Sequence, residues 1–165
     1  MSAEGLARFR VGILTVSDTR TLETDESGRL LKSLLEGMGF RKIVREIVRD
    51  EEGAIVEALL RLCEECDVVV TTGGTGLAPR DVTPEATMKV IEKRVWGLEE
   101  QLRREGSEET PYAVLSRGVV GCRGQTLIVN LPGSPAGARK GALVLGRVVE
   151  HALRQLKGET GHPSH

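Results

Sequence analysis

One stretch constrains what this chain can fold into more than any other: CDVVVTTGGTGLAPRDVTPEATMKVIEK, residues 66–93. Val68, Val69 and Val70 form a short β-branched run, the pattern of a strand buried on both faces. Thr71 and Thr72 carry that strand to Gly73, Gly74 and Gly76, with Thr75 among them. Three glycines in four positions permit positive φ and let backbone N–H groups approach a ligand with no Cβ in the way. Pro79, Arg80 and Asp81 follow, and Thr83-Pro84-Glu85 reads as a helix start, with Thr83 as N-cap and Pro84 in the first turn. A strand, a glycine-rich loop with one cation and one carboxylate, and a helix N-terminus together suit an anionic group, most often phosphate. The carboxylate beside it is most simply explained by a bridging Mg²⁺. No Gly-Lys-Ser/Thr follows the glycines and the GxGxxG spacing is absent, so neither a Walker A loop nor a dinucleotide fingerprint is present. The same pattern also fits a turn whose glycines serve packing alone.

The rest of the chain repeats the alternation. Residues 8–16 (RFRVGILTV) read as a first strand running into Ser17-Asp18-Thr19-Arg20. In residues 21–27 (TLETDES) the threonines and aspartate are either solvated or cap the next helix. That helix carries Leu30, Leu31, Leu34, Leu35 and Met38 on one face and ends at Gly37 or Gly39. Residues 42–48 form a second strand that delivers Asp50, which either caps the following helix or faces a ligand. A short amphipathic helix spans 97–104, and residues 118–122 and 125–130 form an antiparallel hairpin turning at Arg123-Gly124. Leu131-Pro132-Gly133-Ser134-Pro135 is a second strand-to-helix turn with capping chemistry at Ser134. One last helix is expected over 136–156, its Gly137, Gly141 and Gly146 compensated by close backbone packing.

This order predicts a three-layer α/β/α domain with a mostly parallel, mixed central sheet. At 165 residues the chain suits a single domain over 1–158, followed by a disordered tail over 159–165. Its loops at the C-terminal strand ends converge on one rim, where such sheets bind ligands. Only one Trp, one Tyr and two Phe occur, which argues against single-stranded nucleic-acid binding. The net charge of −1 gives no basic footprint for DNA or anionic membranes. No apolar run approaches the length of a membrane span and the first residues lack a signal-peptide core, so a cytoplasmic protein is expected. Cys63 and Cys66 form a CxxC, but Cys122, His162 and His165 have the wrong spacing to complete a zinc site. His151 reads as a surface or packing residue. No Ser-His-Asp or Cys-His set is evident. Carboxylates, glycines, hydroxyls and arginines suit phosphoryl or nucleotidyl transfer, where a protein positions reactants and neutralises charge.

TTGGTG at 71–76, PRDVTPEA at 79–86 and LPGSP at 131–135 together resemble the MogA/MoaB family of molybdenum-cofactor biosynthesis proteins, to which the G domains of plant Cnx proteins and gephyrin are related. The resemblance runs over residues 11–158. It implies a molybdopterin-binding α/β fold that assembles as a homotrimer. It further implies Mg²⁺-dependent adenylylation: the pterin's terminal phosphate attacks the α-phosphorus of ATP, giving molybdopterin-AMP and pyrophosphate ahead of molybdate insertion. On these matches Asp50 and Asp81 are the catalytic candidates and candidate Mg²⁺ partners. Gly73, Gly74, Thr75, Gly76, Thr72 and Arg80 would receive phosphates, and Ser17, Asp18, Ser116, Pro132, Gly133 and Ser134 would contact pterin or nucleotide. The molybdate-inserting protein of the same pathway is an implied partner. Some MoaB-type members share the fold without clear adenylylation activity, so a non-catalytic molybdopterin-binding or scaffold protein is the alternative. Residues 97–101 (GLEEQ), TPYAVLSR, RGQTLIVNLPGSP and HALRQLKG are closer to the MogA and G-domain type.

Overall fold

The computed structural model describes residues 3–159. Six strands form one sheet: β1 (Arg10–Val16), β2 (Lys42–Val48), β3 (Val68–Thr72), β4 (Lys93–Arg94), β5 (Val120–Arg123) and β6 (Thr126–Leu131). Their order is β2-β1-β3-β6-β5-β4; the first four run parallel, and β5 and β4 each pair antiparallel with the neighbour. The sheet is therefore mixed and mostly parallel, as the alternation of strands and helices implies.

Helices α1 (Ala3–Ala7), α2 (Glu26–Met38), α3 (Glu52–Glu65), α4 (Thr83–Val90), α5 (Trp96–Gly106), α6 (Pro135–Gly146) and α7 (Val149–Leu156) surround it, with a 3₁₀ turn over Pro111–Leu115. The period of two in the strands splits the core between both faces. Val11, Ile13, Val68, Val70, Leu127 and Val129 pack under α2, α6 and α7. Leu14, Val16, Val69 and Ile128 pack under α3 and α4, against Ile55, Leu59, Ala86 and Val90. Each such side chain, fully buried, contributes roughly 1.5–3 kcal/mol. A polar seam crosses the second face: the Asn130 amide donates to the Thr71 and Thr87 hydroxyls, and its oxygen accepts the Val119 N–H. All of its groups are matched, so burial is tolerated.

Several expectations are corrected. The last helix is two helices, because the chain turns at Arg147-Val148, whose N–H groups bond back three residues to Val144 and Leu145. The turn lets α6 bury Ala142 and Leu145 while α7 re-aims Val149 and Leu153 at the same core. The glycines of α6 meet side chains, not another backbone: Leu131 lies against Gly141, and Met38 against Gly146. Thr83 is inside α4 and donates its hydroxyl to Gly73 O at 2.9 Å, leaving Val82 as an N-cap without a side-chain bond. Asp50 does not cap α3 either, since Glu51 holds that position. Asp25 and Ser134 do cap, accepting N–H bonds from Gly28 and Gly137. Glu159, assigned to the tail, is fixed by Arg8 at 2.8 Å, and 160–165, including His162 and His165, lie outside the described residues.

Candidate functional site

The four parallel strands end level with one another. Val16 pairs with Val48, Thr15 with Thr72, and Thr72 with Leu131, so the segments after β1, β2, β3 and β6 leave the sheet on one rim. The predicted convergence of Ser17-Asp18, Asp50, Gly73 to Asp81 and Pro132-Gly133-Ser134 is thus built into the register.

The glycine-rich loop is shaped by backbone contacts that exclude a side chain. Gly73 has φ of 103°, and a Cβ there would lie 2.5 Å from the carbonyl oxygen of Val16. Its N–H bonds to Leu131 O at 3.1 Å, while Thr83 ties down Gly73 O and Gly74 O. Gly74 is also left-handed, at φ of 69°. Gly133 packs against Gly73 so closely that a Cβ on it would come 3.2 Å from the Gly73 Cα. Thr72 Oγ1 donates to Pro132 O and Ser27 Oγ to Gly133 O, each at 2.7 Å. The two loops are thereby locked together.

Asp18, Asp50, Arg80 and Asp81 form a charged group on this rim. Asp18 accepts the Asp50 N–H at 2.9 Å through one oxygen and pairs with Arg80 at 3.2 Å through the other. Burial pushes the Asp50 carboxyl above the usual aspartate range, and the negative charges of Asp18 and Asp81 push the same way, against Arg80 and a backbone hydrogen bond from Asp18. Asp81 closes its own loop, with its N–H on Ala78 O and its carboxylate accepting the Ala78 N–H at 3.0 Å. Three acids face one arginine, so the group attracts a cation. Among the described residues no three metal-capable side chains converge to hold one unaided.

Two cavities flank the loop. A crevice of about 110 Å³ is lined by Ser17, Arg20, Thr72, Gly73 and Gly133. A larger, mostly apolar cavity of about 460 Å³ takes in Thr75, Gly76, Ser116, Pro132 and Ser134, with Tyr112 and Lys140 at its walls. The predicted residues therefore separate into a charged group and two cavities. Several of the hydroxyls hold structure: Ser17 Oγ accepts the Thr19 and Arg20 N–H groups, and Ser134 caps α6.

Sequence reasoning missed three features. Arg117 bonds Gly76 O, Asp81 O and Glu85. Thr15 and Asp25 line the crevice, bonded to each other and, through Asp25, to Arg45. Tyr112 and Lys140 had no local signal, because only the packing of α5, α6 and the 3₁₀ turn makes their cavity. Burial raises the Cys63 thiol to about 11 and the Cys66 thiol to about 12, so neither is an activated thiolate near neutral pH.

Residues 12–152 match the family model described as "Probable molybdopterin binding domain". The chain is 41% identical over 138 residues to a Helicobacter pylori protein named molybdopterin adenylyltransferase, covering 80% of this chain and 78% of that one. It is 42% identical over 147 residues to the Drosophila melanogaster molybdenum cofactor synthesis protein cinnamon, covering 86% of this chain but spanning only 24% of that protein's length. The solved structure of the molybdopterin biosynthesis enzyme MoaB from Thermus thermophilus superimposes with a TM-score of 0.83 at 46% identity, covering 92% of this chain and 98% of that one. Matched by the family model over residues 12–152 and by solved members of the family over most of its length, this chain belongs to the molybdopterin-binding family that includes MogA and MoaB.

Proposed function

We propose that this protein adenylylates molybdopterin in molybdenum-cofactor biosynthesis. The observation that carries the reading is the charged group of Asp18, Asp50, Arg80 and Asp81 on the same strand-end rim as the small crevice lined by Ser17, Gly73 and Gly133. The name of the Helicobacter relative supports the reaction type. In the reaction an oxygen of the pterin's terminal phosphate forms a bond to the α-phosphorus of ATP while the bond to pyrophosphate breaks. That phosphate is already anionic at neutral pH, so no side chain needs to remove a proton. The task is to hold two anions together in line.

This chain's residues supply that in parts. The loop N–H groups after β3 and the start of α6 favour negative charge. Arg80 is exposed and held by Asp18, from which an incoming phosphate can take it over. Asp50 and Asp81 fit Mg²⁺ as single carboxylate partners, the remaining ligands being phosphate oxygens and water, as Mg²⁺ prefers. Bound there, Mg²⁺ would neutralise charge on the phosphates. The pterin would take the larger, mostly apolar cavity beside Ser116 and Ser134. A homotrimer in the cytoplasm, passing its product to the molybdate-inserting protein, completes the reading. No described helix is long and apolar enough to cross a membrane.

A second reading, a MoaB-like molybdopterin-binding or scaffold protein without catalysis, draws on the 43% identity over 154 residues to a relative whose name, molybdenum cofactor biosynthesis protein B, states no activity. One assay separates them: purified protein with molybdopterin, ATP and Mg²⁺, followed by mass spectrometry for molybdopterin-AMP, with a magnesium-free control. Magnesium-dependent product supports the enzyme, and Asp81→Asn should then lower turnover by about 100-fold or more while pterin binding persists. Pterin binding without product selects the second reading. Normal turnover in Asp81→Asn would remove that residue from the mechanism.

A further inference from the structure

We propose that Arg117 is a positioning residue that braces the loop carrying Arg80 and Asp81 in its working shape. The inference rests on the adenylyltransferase reading for its kinetic consequence and on the structure alone for its mechanical one. Arg117 follows the 3₁₀ turn, far from the loop in sequence, yet it holds that loop at several points. Its own N–H bonds Thr75 O at 2.9 Å. Its Nε donates to Gly76 O at 2.9 Å and one terminal nitrogen to Asp81 O at 2.8 Å. The other terminal nitrogen pairs with Glu85 in the first turn of α4. One guanidinium therefore spans both ends of the 76–81 segment, inside which Asp81 bonds Ala78.

The brace is itself anchored. Glu99, whose side chain is fully buried, pairs with Arg94 and Arg103 and accepts the Val120 N–H. Arg103 donates to Gly118 O at 3.0 Å and reaches Ser116 O, fixing the residues on either side of Arg117. Force on the Asp81 loop is thus carried through Arg117 to α5. The Arg117 side chain is 34% exposed and its own bonds run to two loop carbonyls and Glu85, so it supports the rim. A planar fork is required, because Nε and a terminal nitrogen must meet two carbonyls at once; a lysine ammonium offers one point.

The test uses Arg117→Ala, Arg117→Lys and, as a control, Glu85→Gln, which leaves both carbonyl bonds in place. With the adenylylation assay, Arg117→Ala should lower kcat by about 100-fold, the scale of an ångström-sized misplacement. Arg117→Lys should recover less than a tenth of it, and Glu85→Gln should stay within about twofold of the parent protein. Millimolar guanidinium chloride should rescue Arg117→Ala in part and leave Arg117→Lys unchanged, a response that loss of stability would not give. A kcat for Arg117→Ala within about threefold of the parent, or a loss without rescue that follows only the unfolded fraction, would overturn the proposal. Hydrogen exchange provides the readout that needs no activity. In Arg117→Ala the Ala78 and Asp81 amides should lose protection while those of β3 and β6 keep theirs, and unchanged protection of those two amides would sink the brace even if the parent makes no product. An inactive parent with that selective loss would reject the enzyme and keep the brace.

Discussion

The carboxyl of Asp50 is less acidic than an ordinary aspartate because burial removes water from it and Asp18 and Asp81 add negative charge, outweighing Arg80. A raised carboxylate gives stability that is full below its ordinary value of 3.8 and is lost as pH rises through the raised one. Near neutral pH the ionised Asp50 therefore weakens the fold, a cost retained for the site. Asp50→Asn should melt above the parent at pH 7. The gap should vanish below pH 3.8, where both side chains are neutral. Thermal melts across that range check it, and a variant less stable at pH 7 would contradict the assigned strain. Asp50 and Asp81 were legible as candidates through the motifs that carry the family resemblance, Asp50 lying just after β2 and Asp81 in the loop just before α4. Arg117 was not, since its partners at Gly76 and Asp81 are 41 and 36 residues away and are carbonyls, which leave no mark in a side-chain pattern. Thr83 was misjudged as a cap for the opposite reason: a threonine caps well locally, but Gly73 O took its hydroxyl first. Of the two readings open for Asp50, the cap falls because Glu51 holds that position.

Elements whose burial follows a simple period were readable, and those defined by contact were not. β2 appeared at its predicted bounds, and the β5–β6 hairpin formed with its turn one residue later than expected, Arg123 pairing with Thr126 across Gly124-Gln125, because alternation and a turn glycine act over a few residues. β4, two residues at the sheet edge, exists only through its pairing with β5 and carries no periodic signal. The break between α6 and α7 follows from where Leu145 and Val149 must be buried, and helix periodicity continues through it. That break also places Arg147 to grip α5. Arg147 meets Glu105 with both terminal nitrogens, one at 2.8 Å, and Gln101 adds a bond at 2.7 Å. Arg147, then Gln101, hold the Glu105 carboxyl down to about 2. A lowered carboxylate stabilises above its ordinary value of 4.5 and loses that contribution as pH falls toward about 2. Glu105→Gln should accordingly melt below the parent at neutral pH, with the gap closing between pH 4.5 and about 2. Melts of both proteins at several pH values test it, and a gap constant through that window would mean the pair contributes packing without charge.

At the scale of the whole molecule, the placement of the few aromatic side chains bears on assembly. Both phenylalanines are buried, whereas the only Trp and the only Tyr, Trp96 and Tyr112, are 61% and 75% exposed. Val95, Leu143 and Val148 are also exposed, and a groove of about 860 Å³ runs between α5 and α7 past Val95, Leu98, Val148 and Leu156. A chain so poor in aromatics that leaves two of four outside presents surface of the kind that protein interfaces use. A net charge of only −1 offers little repulsion between copies. These features support the proposed homotrimer without fixing which face each copy covers. Sedimentation equilibrium should give three times the mass of one chain, and the melting temperature should rise with protein concentration because subunits bind only the folded state. The two measurements must agree, since a trimer whose melting ignored concentration would not be coupled to folding. A single-chain mass at every concentration, with a concentration-independent melt, would leave Trp96 and Tyr112 solvated and would remove the trimer from the proposed function.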